Sequence, residues 1–373
     1  MAGRPRVAVA GHICLDITPI FPAGRARRVE ELLVPGKLVH MEGISLHTGG
    51  CVANTGLALK KLGAEVSLMG KVGEDGFGTL VREFLEGCGA AEGLITVPGE
   101  RTSYSVVLSP PGIDRIFLHD PGANDTFSAA DLNYAGVAGH DLFHFGYPPI
   151  LRRMYADGGA ELAGMLRAVK ELGVPTSVDL AAVDPETEAG RADWTAILRR
   201  ALPWVDYFVP SAEELAFMVD RPLWARWNAA GGDPTGAVDL ARDLPPLAAR
   251  ALEWGAGAVL IKCGARGLYY RDGRGQYFQE SYRPERICSA TGAGDTAIAS
   301  FLLSVLRGLD TPRCLALAAA AGAACVAAYD ALGGLCAQEA LEARIDGGWE
   351  TQPQALPGWR ALGGGLWAGP GGE

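Results

Sequence analysis

Ser289-Ala290-Thr291-Gly292-Ala293-Gly294-Asp295-Thr296 runs directly into an apolar stretch, residues 297–306, that reads as a helix. A Gly-x-Gly ahead of a helix leaves several backbone N–H groups without intrahelical acceptors and lets a ligand approach the chain closely. Those groups and the helix dipole together make a site for an anion. A carboxylate beside such a site would repel a phosphate that was merely bound. The arrangement makes sense if Asp295 accepts a proton from an attacking hydroxyl while the amides hold the migrating phosphoryl oxygens. Two other readings stay open on this segment alone. It also reads as a plain glycine-rich cap, with Asp295 complementing the dipole. Gly292-x-Gly294-x-x-Ala297 also fits a dinucleotide fingerprint, although the residues before it, 282–286, are polar where an apolar strand is required. The chain has neither a Walker-type G-x-x-x-x-G-K-[ST] loop nor a protein-kinase H-R-D set.

Outward from this segment, apolar runs and amphipathic stretches alternate. Strands are predicted at 6–10, 65–69, 141–145, 174–179, 205–209 and 256–262. Helices are predicted at 52–62, 161–172 (with Leu162, Met165, Leu166, Val169 and Leu172 on one face) and 314–329. Strands alternating with helices imply right-handed βαβ units and an α/β fold, a mostly parallel central sheet flanked by helices in three layers. Ligands then bind beyond the carboxyl ends of the strands. Residues 32–47 and 101–119 break the pattern with β-rich alternation and suggest a small β-sheet lid. The expected layout is one large domain over 1–346, with lid segments at about 17–47 and 101–120 and an insertion loop at about 221–236. A Gly/Pro/Trp-rich tail at 347–373 reads as either a poorly ordered extension or a packing arm.

Bulk properties bound the function. With 373 residues, 49% of them apolar, the chain can bury a large core. Its net charge of −10 and lack of a basic stripe argue against nucleic acid and anionic membranes as partners. Eight cysteines without a C-x-x-C pair fit buried thiols in a reducing cytoplasm rather than a disulfide framework or zinc knuckle. No signal-peptide pattern opens the chain, and the uncharged stretch at 314–329 is short for a bilayer.

The 289–296 segment resembles the catalytic signature of the ribokinase-like (PfkB) carbohydrate kinases, D-T-x-G-A-G-D. Five further stretches resemble family elements in the same order. They are Gly11-His12-Ile13-Cys14-Leu15-Asp16, Gly49-Gly50-Cys51-Val52-Ala53-Asn54, Gly70-Lys71-Val72-Gly73-Glu74-Asp75-Gly76-Phe77-Gly78, Pro210-Ser211-Ala212-Glu213-Glu214 and Lys262-Cys263-Gly264-Ala265-Arg266-Gly267. The resemblance implies a ribokinase-like fold and ATP-dependent phosphorylation of a small sugar-like alcohol. Asp295 would be the general base, with the amides of Gly292, Ala293 and Gly294 as the anion hole. Asp16, Gly49, Gly50 and Asn54 would meet the substrate. Asp179 is a further substrate-side candidate, and Asn124 is either a substrate contact or a turn residue. Ser211, Lys262, Gly264 and Gly267 would line ATP, and Glu214 would organise Mg²⁺ through water. Lids of the family often pair between subunits, so a homodimer through the lid is expected.

This chain departs from the family pattern in three places. The signature's first aspartate, which in relatives helps hold an activating monovalent cation, is Ser289, which leaves potassium activation doubtful. The N-x-x-E element begins with Ser211. The D-x-N pattern after Asp179 has Ala181 in its third place. Other readings are a nucleoside kinase of the same fold, for which Phe117, Phe127 and Tyr104 are the lid aromatics to inspect, a catalytically silent binding member, and a dinucleotide-dependent oxidoreductase.

Overall fold

A computed structural model describes residues 3–22, 34–110, 115–229 and 234–371. Among them the strands form one eleven-stranded sheet and one four-stranded sheet. The large sheet runs in the spatial order Arg360–Gly363, Leu366–Ala368, Gln276–Glu280, Gly267–Arg271, Ala258–Lys262, Tyr207–Phe208, Thr176–Val178, Leu142–Gly146, Arg6–Gly11, Glu65–Gly73, Leu94–Val97. From Ala258–Lys262 to Leu94–Val97 every pairing is parallel, and beyond Ala258–Lys262 every pairing is antiparallel.

Arg6–Gly11 shows why the sheet needs two covering layers. Val7 and Val9 join one buried cluster, with the helices Cys51–Lys61, Ala293–Leu306 and Thr311–Cys325. Ala8 and Ala10 join a second cluster, with Ala160–Glu171, Trp194–Ala201 and Leu244–Glu253. Successive side chains leave a strand on opposite faces, so an unbroken apolar run can only be satisfied by helices on both sides. This is the three-layer αβα arrangement expected from the sequence.

The small sheet has the order Gly43–Gly49, Cys14–Ile20, Tyr104–Leu108, Ile116–Asp120. It grows out of the first strand of the large sheet. Gly11, at φ 127, makes the break, and a Cβ there would lie 2.3 Å from the Gly146 carbonyl oxygen. The chain then re-enters β structure at Cys14 and carries Asp16 onto the small sheet. The other end of the small sheet hands over at Gly49 and Gly50 to the helix Cys51–Lys61. Two turns of chain therefore fix the lid to the carboxyl edge of the large sheet. Within the expected lid segments, residues 23–33 and 111–114 lie outside the described residues, as do 230–233 of the insertion and 372–373 of the tail.

The structure corrects several boundaries. Residues 221–229 of the expected insertion loop form the helix Arg221–Ala229. Pro222 stands in its first turn, where a missing N–H removes no intrahelical bond. Trp227 is buried and donates its indole N–H to Asp243 at 2.9 Å, and Trp224 packs edge-on against Phe217. The tail is a packing arm. Arg360–Gly363 and Leu366–Ala368 extend the large sheet from Gln276–Glu280, and the Trp367 indole N–H donates to Glu280. The signature helix starts at Ala293, inside the motif rather than after it, and the helix expected over 314–329 spans Thr311–Cys325 with Asp310 as its cap.

Candidate active site

Gly292 takes φ 75 as the cap of the helix Ala293–Leu306, and a Cβ there would overlap Ala331. Only glycine makes this turn without strain. The turn brings the first-turn amides and Asp295 to the carboxyl edge of the sheet. Of the expected anion-hole amides, that of Ala293 makes a long 3.3 Å bond to the Ala290 carbonyl. A Cβ on Gly294 would meet only the aliphatic stem of Lys262, at 3.4 Å.

Asp295 is 5% exposed. Its Oδ1 accepts from Thr55 Oγ1 at 3.0 Å, its Oδ2 from Asn54 Nδ2 at 3.1 Å, and Tyr147 Oη lies 2.8 Å from both oxygens. Burial raises its pKa, while Tyr147, Lys262, Asn54 and Thr55 pull in the opposite direction. The net upward shift moves a carboxyl toward a useful proton acceptor.

A cleft joins this turn to the lid. Asp16, Thr18, His47 and Thr48 line it from the small sheet, and Ser289 and Thr291 before the helix Ala293–Leu306 and Tyr329, Asp330 and Ala331 after the helix Thr311–Cys325 line it from the other side. Arg115, beside the last lid strand, donates from Nη1 to Thr291 Oγ1 at 2.9 Å and so ties lid to signature. Burial pushes the Asp16 carboxyl up to about 6, against the hydrogen bonds from Cys14 and Ser105. A Cβ on Gly49 would fall 2.3 Å from Asp16 Oδ2, and one on Gly50 would fall 2.5 Å from His12. The room these glycines leave is therefore filled by Asp16 and His12.

Asp179 ends up beneath the site, buried, with Lys262 Nζ 2.5 Å from its Oδ1 and 2.7 Å from the Val209 carbonyl. Burial raises the Asp179 pKa and the ammonium lowers it. Ser211 and Glu214 cap each other across the start of the helix Ala212–Val219. Ser211 N–H donates to Glu214 Oε2 at 2.8 Å and Glu214 N–H to Ser211 Oγ at 3.2 Å. Gly264 takes φ 54 in the turn after Lys262, with open room for contact at Thr235. Gly267 is required by the sheet itself, since a Cβ there would meet the Gln279 carbonyl oxygen at 2.0 Å. Asn124 is fully buried. It donates to the Ile13 carbonyl at 2.9 Å and accepts from the Ile13 N–H at 3.2 Å, so it holds the loop leading to Asp16 rather than facing the cleft. Ser289 and Thr291 bond each other.

Sequence reasoning missed Tyr147 and Thr55, both hydrogen-bonded to Asp295. Tyr147 follows a buried strand, precedes Pro148-Pro149 and holds φ 65, a left-handed conformation costly for a tyrosine. A tyrosine at a strand's carboxyl end between glycine and proline was the available signal.

The chain matches the family described as pfkB family carbohydrate kinase over residues 12–335. It is 25% identical to a ribokinase of Arabidopsis thaliana over 337 residues, covering 87% of this chain and 79% of the relative. The solved structure of Arabidopsis thaliana ribokinase with ribose and ATP superposes with a TM-score of 0.70 at 22% identity, over 91% of this chain and 98% of that one. A nucleoside kinase of Burkholderia thailandensis, solved with inosine, gives a TM-score of 0.67 at 20% identity, over 93% and 100%.

Proposed function

The chain belongs to the pfkB family of carbohydrate kinases and is a sugar kinase, a phosphotransferase with an alcohol group as acceptor; on that premise we propose that Asp295 takes the proton from a hydroxyl of a small sugar held at Asp16 while ATP donates its γ-phosphoryl group at the helix start. The observation that carries this reading is the cleft itself, lined by Asp16 on one side and by Ser289 and Thr291 of the signature on the other, with Asp295 buried just beyond them on the same segment.

ATP fits the residues present. The Gly-x-Gly at a long helix's N-terminus leaves polar N–H groups and room at Gly294 for phosphate oxygens. When bound, ATP supplies the phosphoryl group and the leaving oxygen. Asp16 accepts sugar hydroxyls, Asp295 receives the proton, and Asn54 and Thr55 hold Asp295 in place. Ser211, Gly264 and Lys262 border the nucleotide side. Glu214, whose Oε2 accepts from the Ser211 N–H, would organise Mg²⁺ through water. Among the described residues no group of three or more His, Cys, Asp or Glu is arranged to hold a metal, so the ion would keep water and phosphate oxygens as most of its shell.

The lining is mixed, with Val107, Tyr329 and Ala331 among it, and Asp16, Thr18, His47, Thr48 and Ser109 supply the hydrogen-bonding groups a polyhydroxyl substrate would use. The nucleoside reading draws on the Burkholderia likeness and on Phe117, which is 51% exposed on the lid. Of the other two aromatics considered for stacking, Phe127 is wholly buried and Tyr104 packs edge-on against Phe77. The exposed lid residues Ile44, Phe117 and Leu118 suit pairing with a second copy through the small sheet. A cytoplasmic setting accords with eight free thiols among the described residues and with the lack there of a helix long and apolar enough to cross a membrane. The test is a coupled ADP-release assay with a panel of sugars and nucleosides. Turnover of a sugar with ATP is expected. Turnover of nucleosides alone would replace the sugar assignment, and no turnover with either would sink the reading.

A further inference from the structure

We propose that Lys262 is a catalytic residue, a built-in cation that contacts the migrating phosphoryl group beside the amides of the signature helix. This inference rests on the kinase reading above.

Lys262 is the last residue of the strand Ala258–Lys262, at the carboxyl edge where the site lies. Its side chain is only 11% exposed, and its Cδ and Cε run along Gly294 at the helix start. The stem therefore delivers the ammonium to the place where phosphoryl oxygens would gather. An ammonium has three donors. Two are accounted for, on Asp179 Oδ1 and on the Val209 carbonyl. Among the described residues no hydrogen bond takes the third.

The surrounding charge makes the same point. Asp179 touches Lys262 and also feels Glu214 and Asp295, and Asp295 feels Lys262 in turn. One ammonium thus bears on two carboxylates, Asp179 and Asp295. A buried ion pair that existed for the fold alone would be matched one to one, since unpaired buried charge is costly. A phosphoryl group brings still more negative charge into this corner, and neutral amides alone do not offset it. Beside a water-held Mg²⁺, Lys262 is the protein's own cation in this corner.

In the transfer, the bond between the γ-phosphorus and the β,γ-bridging oxygen breaks, and its electron pair leaves with ADP. A bond forms from the sugar hydroxyl oxygen to phosphorus, and the hydroxyl proton passes to Asp295. Lys262 keeps its protons throughout and lowers the energy of the charge spread over the transferring oxygens.

Three variants test this: Lys262→Met, Asp179→Asn and the double variant. Lys262→Met is expected to lower kcat about 100-fold, the scale of losing one pre-positioned donor. It should also weaken a non-hydrolysable ATP analogue about tenfold more than it weakens ADP, as read by calorimetry. The double variant removes both partners of the ion pair, so its melting temperature should return toward the wild-type value while kcat and the analogue-to-ADP ratio stay low. If the double variant turns over like Asp179→Asn alone and its nucleotide ratio matches the wild type, Lys262 merely neutralises Asp179 and the proposal is overturned. Should Lys262→Met fail to fold, the double variant and Lys262→Arg, which keeps the charge, carry the same comparison. Wild-type enzyme that phosphorylates no alcohol would instead remove the kinase reading, a result distinct from any of these.

Discussion

Asp16 lines the cleft from the small sheet, whereas Asp295 lies buried on the helix that follows Ser289 and Thr291, which line the opposite side. Asp295 stands on a helix inside the large domain, buried, with Asn54, Thr55 and Tyr147 all donating to it. Asp16 stands on a lid strand, half-buried, with a thiol contact from Cys14 at 3.3 Å and a glycine, Gly49, kept bare to make room for it. The floor holds its reacting group from several directions at once, which suits a step that tolerates little misplacement. The lid holds its proposed recognition group with fewer partners, Cys14 and Ser105, on a strand whose sheet carries exposed Ile44, Phe117 and Leu118, which suits a surface that closes and opens around a substrate. The difference teaches that loss on the floor should appear in kcat, and loss on the lid in KM.

The sharpest way to break that contrast is Asp295→Asn. It is expected to cost about 10²–10⁴-fold in kcat with sugar KM nearly unchanged, measured by steady-state ADP release. A variant that retains near-normal kcat would remove Asp295 as the proton acceptor. Asp16→Asn comes next, with about 10–100-fold lost in kcat/KM, mostly through sugar KM. The Asp16 carboxyl, raised to about 6 by burial, accepts hydroxyls fully only above that pH. Sugar KM of the wild type should therefore climb as pH falls through about 6, and the climb should vanish in Asp16→Asn. Its raised pKa also means that folding favours the protonated form, so the burial of the charged form costs stability as pH rises through about 6. Asp16→Asn should accordingly melt higher than wild type at pH 8, which differential scanning calorimetry reads directly.

A finer probe is Tyr147→Phe. Tyr147 lowers the Asp295 pKa, so its loss should shift the acid limb of the kcat profile to higher pH and reduce kcat about three- to tenfold. An unmoved limb would show that the tyrosine only fills space. The smallest effect belongs to Arg115→Gln, which loosens the tie between lid and Thr291. About a threefold rise in sugar KM with unchanged kcat is expected, the modest scale of partly exposed polar contacts.

Much of the frame was legible in the chain. Continuous apolar runs announced the parallel strands, because a doubly covered strand has no polar face. The Gly292–Asp295 turn was legible because a left-handed cap, an anion site and a carboxylate each demand a particular residue type. The partners of Asp295 were not. Tyr147 lies 148 residues away, and only the packing of a buried strand beside the signature helix brings them together. Gly267 reads as a loop glycine near a nucleotide, yet its bare Cα is required by pairing with the strand Gln276–Glu280. Ser211 and Glu214 carried a local signal, the S-x-x-E spacing of a capping box, that the metal reading of Glu214 overshadowed. The helix at Arg221–Ala229 was obscured by the proline and glycines that surround it.

The two borders of the large sheet carry a final consequence. One is Leu94–Val97 and the other Arg360–Gly363, each only 4 residues long, and the second is kinked by a bulge between Ala361 and Gly363. Neither offers a long, flat row of unpaired amides to an incoming strand, which is how stacked filaments begin. Each end of the large sheet thus closes on a short strand that gives another chain little backbone to add to.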